Sequence, residues 1–586
     1  MKRIALSVLI LAVTLAGLGQ LYAQSPEDAK LQKMTDAYLD GMWKFFPTSA
    51  TLAGNPKYND KLEDFGSGTI EKRTNALDAF NQELVAKVDK SKLSPESQIL
   101  HSMMVDALDL EFVKFENLLP WEYNPLFYNE ILLQSVRGLL IKETAPLDAR
   151  VKSAIERAKL IPGLIKKAKD NLKTPAQIYT ETAIKQMPAI IEFYRTEVPA
   201  LAANAVAKNG FQAEIAKVVA ALEDYQRFLQ NDLLPKSTGN FRLGADTHLR
   251  LLRMTSQGNI PIDELVARAN ADVKNIRREM FLVCIPFYKI MYPGINLEQL
   301  TTQRSEEEVK NIVIKGVLDK IKVDHATRDE FVAKIAASAA NVKAFLAQAQ
   351  LVDLPDAELA VVPMPAAMAG PAWTRLIAPG AYETNGGYTF QIMPIPADWT
   401  NEQATSFLEE QNIFAMDFLT VQKVFPGTFV PTFFARKDPS VVKKLFANQA
   451  LLKGWPAYLE EMLINSGFGN YDLRLRLNQL KLMLKTVLDF QLELNIHQGG
   501  MTKEQAVNYM VRMGFQTDAE AARKWDAILL NPSDAALTYI GYQEILDMEK
   551  DMKKLKGDAF NQKEFAAKLV SFGAIPLREL KVKLAQ

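Results

Sequence analysis

The chain has 586 residues with 69 basic and 69 acidic side chains, so its formal charge is zero. No global field draws it toward nucleic acid or an anionic membrane, and no nucleic-acid partner is expected. A single cysteine rules out an intramolecular disulfide, so an apolar core must hold the fold together.

The chain opens with Lys2 and Arg3, an apolar run from Ile4 to Leu18, and the small-residue pattern Leu21-Tyr22-Ala23 before Gln24. That order of charged, apolar and cleavable parts predicts a signal peptide over 1–23 and an exported protein, periplasmic or secreted. The apolar run is short for a membrane span, and no later uncharged stretch approaches bilayer length, so no membrane span is expected. No cysteine follows the apolar run, so no lipoprotein anchor is expected either.

From there helix signals dominate, with apolar residues recurring at three- and four-residue steps between capping residues. Capping-box patterns stand at Thr174…Gln177, Ser305…Glu308, Thr400…Gln403, Thr502…Gln505 and Thr517…Glu520. Predicted helices include roughly 70–90, 95–117, 148–171, 175–233, 262–283, 305–349, 401–423, 439–466, 473–497, 503–513, 517–530 and 534–554. Cys284 lies in the apolar run from Met280 to Ile285 and reads as a small buried hydrophobe without a catalytic base. The Pro- and Gly-rich stretch of about 355–400 breaks the helical pattern. Within it Asn385-Gly386-Gly387 signals a turn and Tyr388 to Met393 alternates as a strand does. The prediction is a mainly α fold over 24–586 read as one large helical domain. A helical half (about 24–350) and a second (about 401–586) flank a small β element around 380–395.

Separated segments carry a resemblance. They are Phe46-Pro47-Thr48-Ser49-Ala50-Thr51 with Gly54, Gly239 to Gly244, Gly454-Trp455, His497 before Met501-Thr502, Pro532 leading to Tyr539 and Gly541, and Phe572 to Leu577 followed by Leu580. Together they resemble the bacterial family known as domain of unknown function 885 (DUF885), whose members are similar to helical zinc metallopeptidases of the gluzincin type. The resemblance implies a large multi-helix metallopeptidase-like fold. The family's metal motif reads His-Glu-x-x-Pro-Gly-His, where this chain has Gln422-Lys423-Val424-Phe425-Pro426-Gly427-Thr428. Its Glu-Gly-Trp-Ala motif corresponds here to Lys453-Gly454-Trp455-Pro456. By that alignment both histidines and both glutamates are replaced, at Gln422, Thr428, Lys423 and Lys453.

A catalytic zinc needs about three imidazole, carboxylate or thiolate ligands and an open position for water. A carboxamide and a hydroxyl are poor substitutes, and two lysines repel a divalent cation. Without the metal, water keeps a pKa of about 15.7 instead of about 7, so the nucleophile is missing too. No zinc or other cofactor and no catalytic residue is therefore expected.

The four histidines, at 101, 248, 325 and 497, are scattered, with no ligand pair on one helix. His497 coincides with a family histidine and Glu493 stands in for a family acid, whereas a family arginine nearby is Asp489. The competing reading of His497 is a cap at a helix C-terminus. A rebuilt metal site would have to draw on His497, Glu493, Glu460 and Glu461, although the last two read more simply as a polar helix edge. Tyr539 corresponds to a family tyrosine that contacts substrate, or else packs within Leu537 to Ile540. The strand at Tyr388 offers an edge for an extended peptide, and Trp455, with Trp373 and Trp399, a cleft lining. The sequence reading is a non-catalytic protein of the cell envelope that binds a peptide or small molecule, with protein partners unspecified. Its rivals are a hydrolase with a rebuilt site and a structural envelope partner.

Overall fold

The computed structural model describes residues 25–368 and 373–586. The signal-peptide expectation for 1–23 falls outside them. The described chain is mainly helical with one small sheet, and among its residues no helix is long and apolar enough to cross a membrane.

The helix starts follow capping chemistry. Ser305, Thr400 and Thr502 each form the reciprocal box expected of them, and Thr517 accepts from the Glu520 amide without a return contact. Ser25 forms a further box, with Asp28, that opens α1 (Pro26–Phe45). Thr174 does not cap. Pro175 and Ala176 stay extended, because Ala176 bridges Thr238 and the Pro175 carbonyl accepts from the Gly239 amide at 3.0 Å.

Several expected helices are divided. The predicted 175–233 span breaks between Glu192 and Lys208, where a wide π turn and Pro199 let α5 (Lys208–Phe228) fold back against α4 (Leu147–Asn171). The 305–349 span breaks between Ile321 and Phe331, and within the connecting turn the Thr327 hydroxyl donates to the Glu330 carboxylate at 2.9 Å. Asn412 and Asn448 divide 401–423 and 439–466 by accepting backbone amides at 3.1 and 2.7 Å. An apolar stripe of period 3.6 runs across such breaks, so periodicity alone does not mark them.

Other helices that position cavities are α2 (Pro95–Phe112), α3 (Pro125–Ile141), α6 (Ala245–Ser256), α7 (Ile262–Met291), α8 (Ile413–Lys423), α9 (Gln449–Asn465), α10 (Leu473–His497), α11 (Asp518–Leu530) and α12 (Leu537–Lys556). The sheet has the order β1 (Leu359–Pro363), β3 (Tyr388–Ile392), β2 (Thr374–Ile377). β3 runs parallel to β1, with Leu359 opposite Tyr388, and antiparallel to β2, with Thr374 opposite Ile392. The expected open edge at Tyr388 is therefore corrected: this strand is the centre of the sheet and both its ladders are occupied. One cluster of buried apolar side chains extends from Leu31 to Leu584.

The tightest packing lies where α9 crosses α12. A Cβ on Gly541 would collide with the carbonyl of Ala450, and one on Gly454 with the backbone of Gly541 and Tyr542. Each glycine lets the other helix's backbone fill the space of a side chain. Beside the crossing, Trp455 is fully buried and its indole N–H donates to the Ala566 carbonyl at 2.9 Å. Overpacking of this kind usually costs 1–3 kcal/mol. Gly541→Ala should lower the unfolding free energy by about 3 kcal/mol or more, measured by urea denaturation, whereas Gly68→Ala, where nothing lies within 4 Å, should change it little.

Candidate functional site

α8 ends at Lys423, and the chain turns through Val424–Thr428 before the next helix begins at Phe429. Phe425 is extended and Gly427 has φ +44°, a left-handed value that favours glycine. This turn presents Gln422, Lys423 and Thr428 to a cavity of about 380 Å³, and α9 adds Lys453. The opposite walls are Arg375 and Phe390 from the sheet, Asp489 from α10, Arg523, Lys524 and Ile528 from α11, and Asp534 before α12. The four positions singled out from the metal-motif alignment thus converge on one space.

Its charges are mostly paired. Lys453 meets Asp534, Lys524 meets Asp489 at 2.5 Å, Arg523 meets Glu520 at 2.7 Å and Arg375 meets Glu130 at 3.3 Å. Burial would raise the Asp534 carboxyl, but Lys453, then Lys423 and Lys524, hold it below its ordinary value. Lys423 has no acid partner among the described residues and is half-buried. Burial first, then the ammonium groups of Lys453 and Lys524, pull it down to about 8 against the opposing pull of Asp534 and Asp489. The Thr428 hydroxyl turns back to the Lys423 carbonyl at 3.5 Å.

Gln422 leads inward to Glu460, which is fully buried and accepts from Gln479 at 3.2 Å. Burial pushes the Glu460 carboxyl up to about 8, tempered by Gln422 and Gln479, so it is largely protonated at neutral pH. Among the described residues, Gln422 Nε2 and Glu460 Oε1 both lack hydrogen-bond partners. The reading of Glu460 as a polar helix edge is thereby corrected; Glu461 does face outward, paired with Arg476 at 2.6 Å.

His497 stands one layer behind the cavity. Its Nε2 lies 3.3 Å from the Ile528 carbonyl, and its ring stacks on His248 with centroids 4.9 Å apart. Glu493 accepts from His248 Nε2 at 2.9 Å and from the Ser533 amide at 2.7 Å. His248 was missed because its partner lies far along the chain; the segment before it docks through Gly244 N–H on the His497 carbonyl, at 3.1 Å. Burial, then His248, pulls His497 down to about 4. It is neutral at physiological pH, so the capping role that needs a charged ring is also corrected.

Of the proposed ligands of a rebuilt metal site only His497 and Glu493 come together, with His497 Nε2 3.6 Å from Glu493 Oε1; Glu460 and Glu461 lie elsewhere. His497 and Glu493 face His248, Glu460 faces Gln479, and Glu461 faces Arg476. Among the described residues no group of three or more His, Cys, Asp or Glu side chains is placed to hold a metal ion. The cavity's own donors do not fit zinc either: a carboxamide, a hydroxyl, and two carboxylates already held by lysines. Trp455 and Tyr539 are buried away from the cavity, the Tyr539 hydroxyl donating to Asp272 at 2.8 Å. Tyr388 packs against Phe429 and Phe433. Trp373 does line the cavity.

Residues 47–584 match the model of a family described as bacterial protein of unknown function (DUF885). Among solved structures, a candidate lipoprotein of unknown function from Shewanella oneidensis is 25% identical, with a TM-score of 0.78 over 95% of this chain and 100% of that one. A candidate lipoprotein from Colwellia psychrerythraea shares the fold at 14% identity, with a TM-score of 0.72 over 95% and 98%. No curated protein matches the chain.

The unfolded chain protonates His497 near its ordinary 6.5 and the folded chain near 4, so stability falls as pH drops through that window, by at most about 1.4 kcal/mol per pH unit. Glu493, raised by burial, acts in the opposite sense. Urea denaturation at pH 7, 6 and 5 should therefore show a steeper loss for the native protein than for His497→Asn; equal slopes would contradict the assignment.

Proposed function

The chain belongs to the bacterial DUF885 family, and we propose that it is a non-catalytic member that binds a peptide or small molecule bearing an anionic group. The observation that carries this reading is the convergence of Gln422, Lys423, Thr428 and Lys453 on one open cavity, where Lys423 is the one lining cation without an ion pair among the described residues. On the metallopeptidase resemblance, these positions once held ligands and a general base. In their place is a cation in a half-buried setting, where a charge-assisted hydrogen bond to a carboxylate contributes about 1.5–3 kcal/mol. The setting of His497, behind Ile528 and neutral, favours a binding protein over a hydrolase with a rebuilt site. The open volume favours it over a structural partner whose cleft is filled. Export to the cell envelope is part of the proposal, supported by the N-terminal pattern and by the lipoprotein descriptions of the two structural neighbours.

Two measurements test it. Metal analysis with peptide-library hydrolysis should give neither stoichiometric zinc nor turnover; chelator-sensitive turnover would overturn the reading. In calorimetry with carboxylate-bearing peptides, Lys423→Met should weaken binding by about tenfold or more. Because the ligand takes the protonated amine, affinity should be flat below pH 8 and fall by up to about tenfold per unit above it.

A further inference from the structure

A second cavity, of about 610 Å³, lies in the N-terminal half between α1, α2 and α3 and reaches Leu445 and Phe446 of the C-terminal half. Its walls are dominated by aromatic rings, including Trp43, Phe46, Phe115, Trp121 and Phe127. Cores packed to native density do not hold voids of this size, whereas pockets for small organic molecules span about 300–1,000 Å³ with apolar walls and few polar groups.

The polar groups in the walls are nearly all engaged. Glu63 accepts from the Thr48 amide and hydroxyl at 2.9 and 2.7 Å. Glu111 accepts from Arg73 at 2.5 Å and from Tyr38 at 3.1 Å, and Glu130 is paired with Arg375. Lys114 also lines the cavity, is exposed, and has no ion pair or hydrogen bond among the described residues. The chain that carries it is irregular: Val113–Leu118 is wound as a π turn closed by the Leu119 amide on the Lys114 carbonyl at 2.9 Å. Leu119 is left-handed, with φ +41° and ψ +58°, a conformation unusual for a bulky residue and one that clusters at ligand clamps.

We infer that this cavity binds an amphiphilic monocarboxylic acid, its apolar chain among the aromatic rings and its carboxylate on Lys114. One unshared cation against an apolar volume selects a single negative charge on an apolar body. Neutral and cationic analogues of the same length lack that contact.

The test uses dodecanoate, dodecanol and dodecylammonium on the full chain, read by calorimetry and by the emission of the wall tryptophans. Dodecanoate should bind with one-to-one saturation, more tightly than dodecanol and much more tightly than dodecylammonium. Lys114→Met should weaken dodecanoate by about tenfold or more and leave dodecanol unchanged. Ser49→Trp, at an exposed position on the cavity wall, should block both while circular dichroism and the melting temperature stay native. Lys423→Met should leave dodecanoate binding intact. Absence of dodecanoate binding, equal binding of dodecylammonium, an unchanged affinity in Lys114→Met, or loss of binding in Lys423→Met would each overturn the assignment.

Discussion

The crossing of α9 and α12 at Gly454 and Gly541 is the contact on which the candidate site depends. Two backbones meet where side chains would otherwise keep them apart, and this sets both the depth and the rotation of α9. With the helix held there, Lys453 projects into the cavity, Trp455 is locked into the core by its bond to Ala566, and Glu460, two turns along, is carried to the interior beside Gln479. A side chain at either glycine would move all three together. The crossing is a requirement of packing, independent of what the cavity does.

The charges of the cavity wall are settled pairwise. Lys453 and Asp489 carry opposite charges into the cavity wall, and each would be unbalanced without a partner. In the structure Lys453 is neutralised by Asp534 and Asp489 by Lys524. Half-buried charges without a partner are costly, so neighbours of opposite sign steady these walls. Lys423 is the remainder. Its nearest cations depress it and its nearest acids are already committed, which makes it the group an incoming anion would meet first.

Much of this was legible in the sequence, and the reasons for the rest are physical. Capping boxes at Ser305, Thr400 and Thr502 mark helix starts because the motif is local, a side chain closing on a backbone three residues away. The breaks at Asn412, Asn448 and Thr327 used the same local chemistry, but an unbroken apolar stripe outweighed it. Tyr388 was recognisable as a strand, yet its central place depends on β1 and β2, and pairing order is not written in alternation. The resemblance singled out Gln422, Lys423, Thr428 and Lys453, and these four line one cavity. It did not single out the ion-pair partners around them, Asp534 with Lys453 and Lys524 with Asp489, which come from separate parts of the chain. The stacking of His248 on His497, 249 positions apart in the chain, had no sequence signal beyond the Gly239 to Gly244 segment that docks beside it.

The three-stranded sheet has a consequence for how the protein behaves in a crowded solution. Unpaired strand edges are templates for pairing between molecules. Here the strand of highest burial, β3, is covered on both sides, and the outer strands are short: β2 has four residues, and β1 has five, of which the last, Pro363, has no amide hydrogen to offer. Such edges recruit a second chain poorly. The one sheet among the described residues is thus built so that self-association through it is discouraged.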